Sequence, residues 1–77
     1  MNFQSKSKEQ IAFLRQQYPK GTRIELVRMD DPYTKLRPGD QGQVFFVDDA
    51  GGIHINWDNG EGLAAIAGKD IIRKIKT

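Results

Sequence analysis

The 77-residue chain has no cysteine and one histidine, His54. Without cysteine there is no disulfide framework and no thiolate zinc site. No serine follows Ser7, so His54 has no serine or cysteine nucleophile to activate. His54 reads as a surface member of a cross-strand pair, and no catalytic residue is assigned. The glycines at 39, 42, 51 and 52 fit turns and do not follow the G-x-x-x-x-G-K spacing of a phosphate loop. Asp48, Asp49, Asp58, Glu61 and His54 would sit at neighbouring hairpin ends. However, Asp58-Asn59-Gly60-Glu61 lacks a calcium loop's distal glutamate, and turn chemistry explains Asp and Asn before Gly. The expectation is a non-enzyme with no metal and no cofactor. Nothing approaches the roughly 18–20 apolar residues of a membrane span. The start, MNFQSKSKEQ, has no apolar run of the kind a signal peptide needs. A cytoplasmic protein is expected, without membrane contact.

The net charge of +2 is unevenly spread. Residues 1–29 hold six basic and two acidic groups, a balance of +4. Residues 30–61 hold two basic and seven acidic, a balance of −5. Residues 62–77 hold four basic and one acidic, a balance of +3. The high pI would suggest nucleic acid as partner, but the acidic middle argues against a uniformly basic surface.

This length makes one domain, residues 1–77, burying about 60% of its unfolded surface. Its first part, 1–19, carries a helix. Ser7-Lys8-Glu9-Gln10 has the S-x-x-Q spacing of a capping box. Ile11, Leu14 and Tyr18 then fall on one helical face, with Phe13 off it. Pro19 ends the helix, because proline disfavours helical geometry in the residue before it. An amphipathic helix of about three turns needs a surface to lie on.

Residues 20–77 read as strands and turns. Thr22–Arg28 alternates, with Ile24 and Leu26 on one face and Arg23 and Glu25 on the other. Gln43–Val47 is a second strand, with Val44 and Phe46 on one face and Phe45 and Val47 on the other. The Asp48–Gly52 hairpin loop leads to Ile53–Trp57, where Ile53, Ile55 and Trp57 face inward. Asp58-Asn59-Gly60 is a tight turn. Leu63–Ile66 and Ile71–Ile75 complete the set. Between the first and second strands lies DDPYTKLRPGD (residues 30–40), without helical or strand period. In it Asp30 or Asp31 suits an Asx-turn, Pro38-Gly39 a turn, and Leu36 a plug at one end of the barrel. Five short strands in this order suggest an all-β fold: a five-stranded SH3-like barrel, its last strand beside its first, preceded by the helix.

Several motifs resemble one family. They are Tyr18-Pro19, Gly21-Thr22-Arg23, Met29-Asp30-Asp31-Pro32-Tyr33, Pro38-Gly39, Gly42, Val47-Asp48-Asp49, Ile53-His54 and Trp57-Asp58-Asn59-Gly60. Over residues 18–73 the chain is similar to a domain of unknown function numbered 4314, found in phages and mobile elements of Gram-positive bacteria. The resemblance implies a small SH3-like barrel in a bacterial host cell and no established activity.

Two binding surfaces suggest themselves. SH3-type modules take peptides beside their longest loop, using aromatic and acidic side chains. Here that corner would gather Asp30, Asp31, Tyr33, Asp48 and Asp49, against a basic or proline-rich segment of a protein partner. The alternative is nucleic acid, held by Arg15, Arg23, Arg28, Arg73, Lys74 and Lys76 on the helix and terminal strands. Phe45 would then stack on a base, although packing under the helix is favoured. Protein is the expected partner, and nothing decides the oligomeric state.

Overall fold

The computed structural model describes residues 6–75. Helix α1 (Lys8–Gln17) begins as its spacing predicts. The Ser7 hydroxyl accepts from the Gln10 N–H at 3.1 Å, and the Gln10 side chain accepts from the Ser7 N–H at 2.8 Å. Two donors that a helix start leaves unpaired are thereby satisfied. The helix stops at Tyr18, before Pro19. Ile11 is buried, and Leu14 and Tyr18 pack against the core. Phe13 stands exposed, as its place off the stripe predicts.

Five strands follow: β1 (Arg23–Arg28), β2 (Gln41–Val47), β3 (Gly52–Trp57), β4 (Ala65–Ile66) and β5 (Ile71–Lys74). They form one antiparallel sheet in the order β4-β3-β2-β1-β5. The expected return of the last strand beside the first is present, with Ile24 opposite Lys74 and Leu26 opposite Ile72.

Closure into a barrel is corrected. Among the described residues no ladder joins β4 to β5, which are the two edges of the sheet. The cause is length. β4 has two residues, and a tight turn leads from it straight to β5, with the Lys69 and Asp70 N–H groups both donating to the Ile66 carbonyl. A single bridge, Ala67 to Asp70, is all that forms. Leu14 and Tyr18 line a cavity of about 260 Å³ beside it, facing Ile53, Ala65 and Ile72.

The core draws Ile24 and Leu26 from β1, Val44 and Val47 from β2, and Ile53, Ile55 and Trp57 from β3. The Trp57 indole N–H donates to the Leu63 carbonyl at 2.7 Å, which satisfies the polar end of a buried ring. The phase read for β2 is also corrected. A bulge between Val44 and Phe46 turns Val44 and Val47 inward and leaves both phenylalanines outside. Phe45, expected from the sequence to pack under the helix, is 47% exposed, with the Lys20 ammonium 5.3 Å from its ring centre and its ring edge-on to Phe46.

Candidate functional site

The long connection between β1 and β2 is built from its own side chains. The Asp31 carboxylate accepts from the Tyr33 N–H at 2.9 Å, an Asx-turn of the kind the sequence suggests. The Thr34 hydroxyl accepts from the Leu36 N–H at 3.1 Å, and the Asp40 carboxylate accepts from the Arg37 N–H at 2.8 Å. Three anchors fix the loop to the body. Leu36 is buried within the core. The Gly39 N–H donates to the Leu26 carbonyl, and the Leu26 N–H donates to the Asp40 carbonyl, each at 2.8 Å. Asp70 bridges the third point: one carboxylate oxygen accepts from the Asp30 N–H at 3.0 Å, the other from the Ile66 N–H at 2.9 Å.

That bridge defines a groove of about 510 Å³. Residues 29–33 form one wall. Leu63, Ala64, Ile66, Lys69 and Asp70 form the other. Tyr33 is 92% exposed although its backbone is pinned, so the ring is held out on a fixed support. Leu63 and Ile66 give the opposite wall exposed apolar surface. Three carboxylates and one ammonium line the groove. The sequence reading placed Asp30, Asp31 and Tyr33 here but missed Asp70, Leu63 and Ile66. A contact between residues 30 and 70 leaves no local spacing to detect.

The second aspartate pair has other neighbours. Asp48 organises its hairpin: one oxygen accepts from the Ala50 N–H at 2.9 Å and the Gly52 N–H at 2.8 Å, and the other meets His54 Nε2 at 2.7 Å. The His54 hydrogen bond, and next the Gly52 N–H, hold the Asp48 carboxyl below the usual carboxylate range. His54 also stacks flat on Phe46, its cross-strand partner, with ring centres 4.2 Å apart. Asp49 accepts from Arg15 at 2.8 Å. Among the described residues, no hydrogen bond or ion pair links Asp48 or Asp49 to Asp30, Asp31 or Tyr33. The same residues hold no cluster of three metal-ligating side chains, and no helix among them is long and apolar enough to cross a membrane.

Residues 7–75 match the family described as a domain of unknown function, DUF4314. The chain belongs to that family. No curated protein and no solved structure matches it. The DUF4314 match takes in both walls of the groove, the Asp70 bridge and the helix over the sheet.

Three of the basic side chains of this DUF4314 protein, Arg15, Arg23 and Arg73, pair with its own acids. Arg15 pairs with Asp49, and it also donates to the Val47 carbonyl at 3.2 Å. Arg23 grips Asp58 with two hydrogen bonds, of 3.0 and 2.6 Å. That grip raises the arginine's pKa and lowers the aspartate's. Arg73 pairs with Glu25 at 3.1 Å. Lys74 donates to Gln17 at 3.1 Å and sits 5.3 Å from the Tyr18 ring centre. Arg28 lies exposed opposite Ile71. Lys76 is outside the described residues. Such exposed pairs add little stability, about 0–1 kcal/mol each, but each cancels a cation locally.

Proposed function

We propose that this DUF4314 protein is a non-catalytic protein-binding module whose binding surface is the groove between residues 29–33 and 63–70. The observation that carries the reading is Tyr33, an exposed aromatic ring above a part-apolar groove, on a loop anchored at three points. A wall that is already ordered loses little conformational freedom on binding, and tyrosine supplies contact area at low entropic cost. Two further points support it. We read the strand order, with β5 beside β1, as an SH3-like arrangement left open between β4 and β5, and that order supports the proposal. In modules of that kind the surface beside the longest loop takes peptide partners. On the family resemblance alone, we also propose a phage or mobile-element origin and a bacterial host cytoplasm.

Nucleic-acid binding on the helix and terminal strands is less favoured, because Arg15, Arg23 and Arg73 already face carboxylates. The test is amide chemical-shift mapping with partners captured from host lysate, and separately with short DNA and RNA. Shifts concentrated at 29–33 and 63–70 on adding a captured protein are expected. Shifts at Arg15, Lys74 and Phe45 with oligonucleotides, fading steeply with salt, would refute the proposal.

A further inference from the structure

The carboxylates along the groove are not equivalent, and their division indicates what the groove accepts. Asp70 spends both oxygens on backbone N–H groups, one on each wall, so it shapes the groove and offers little to a ligand. Asp31 uses one oxygen on the Tyr33 N–H, and its other oxygen has no hydrogen bond or ion pair among the described residues. The Asp30 carboxylate has no hydrogen bond or ion pair among the described residues, and its side of the groove faces solvent. The open negative charge therefore lies along the 30–31 wall, beside the Tyr33 ring. The facing wall contributes Leu63, Ala64 and Ile66, with Lys69 the one cation at the rim.

We infer that the groove's ligand is an extended segment of another protein that places an arginine or lysine beside an aliphatic residue or proline. The inference rests on the groove being the binding surface. The cation would meet Asp30 and the open oxygen of Asp31, with its stem along the Tyr33 ring; the apolar neighbour would lie on Leu63 and Ile66. The groove's volume falls within the range of about 300–1,000 Å³ that accepts a few groups in a cleft.

The test is selection of a random heptapeptide display library on the immobilised protein, followed by amide shift mapping with the enriched peptides. Enriched sequences should carry arginine or lysine next to leucine, isoleucine, valine or proline. Their affinity should fall about tenfold in the Asp30→Asn, Asp31→Asn double variant, the size expected when two exposed charge contacts are lost. Asparagine keeps the acceptor that the Tyr33 N–H uses, so the loop turn survives, and an unchanged amide spectrum away from the site checks it. A second variant works in the opposite direction: Lys69→Gln should tighten the same peptides several-fold. Enriched peptides without a cation that still shift residues 29–33 and 63–70 would overturn this chemistry and leave the groove standing. Peptides that shift residues elsewhere, or no enrichment at all, would overturn both.

Discussion

Leu36 separates two roles within one loop. It is the one aliphatic residue between Asp30 and Asp40, and at 5% exposure it belongs to the core. Leu36→Ala would remove three carbons from a packed site. Deletions of this kind cost about 2–5 kcal/mol, depending on how far the surroundings collapse. A loop can settle inward more readily than a strand, so the lower part of that range, about 2–3 kcal/mol, is expected. A chain of this length has roughly 4–12 kcal/mol in total, at about 0.05–0.15 kcal/mol per residue, so the variant loses a large share. Urea unfolding followed by the fluorescence of buried Trp57 measures it, as a lower midpoint with an unchanged m-value. Tyr33→Ala, three positions away and exposed, should stay within about 0.5 kcal/mol of the parent. A Leu36→Ala cost below about 0.5 kcal/mol would refute the anchoring of the loop. A large cost at Tyr33 would show that its ring serves stability rather than binding.

Gly42→Ala should cost about 1–3 kcal/mol, because the added Cβ would lie 2.6 Å from the Ile55 Cγ2, 2.9 Å from the Asn56 carbonyl oxygen and 3.0 Å from the Trp57 Cα. Two of these atoms are β3 backbone and cannot swing aside; a calorimetric midpoint within 2 °C of the parent would contradict the packing, since about 4–8 °C is expected per kcal/mol at this size. Asp48 gives a pH test: its folded pKa is depressed by the His54 hydrogen bond, so its stabilisation is present above the unfolded value near 4 and is lost as pH falls through the lower folded value. Stability measured between about pH 5 and 2 should fall less steeply in Asp48→Asn than in the parent, by under about 1 kcal/mol because the pair is partly in solvent; parallel curves would exclude the linkage.

The features readable in the sequence are those whose physics is local. Ser7 and Gln10 are three residues apart, and the capping box needs nothing more. Ile24 and Leu26, or Ile53, Ile55 and Trp57, need only the two-residue period of a strand. The bulge in β2 lay between the local and the distant. QVFFV reads equally well in either phase, because each phase offers one valine and one phenylalanine. The ladder decides: Val44 faces Ile55 and Val47 faces Ile53. The valines are three positions apart and the isoleucines two, so burying both pairs forces one extra residue into β2. Both phenylalanines then turn outward, and Phe46 meets His54. Comparing the two apolar spacings would have revealed this; treating each strand alone did not.

The groove lay beyond such reading for a different reason. Asp30, Asp31 and Tyr33 stand out within eleven residues because they are unusual neighbours. Their surroundings depend on what faces them, and that is set by Asp70, forty positions later, in a segment that reads as a plain turn. A carboxylate that accepts from two distant N–H groups has no signature in spacing or composition; it exists only once β5 has returned beside β1. The same return explains why four aspartates that look alike in sequence diverge in role. Asp48 and Asp49 lie at a hairpin tip, within reach of His54 and the helix arginine. Asp30 and Asp31 lie where the chain leaves β1, within reach of the β4–β5 turn. Charge pattern alone would merge them into one acidic corner; the sheet order sets one pair against His54 and Arg15 and the other along the groove.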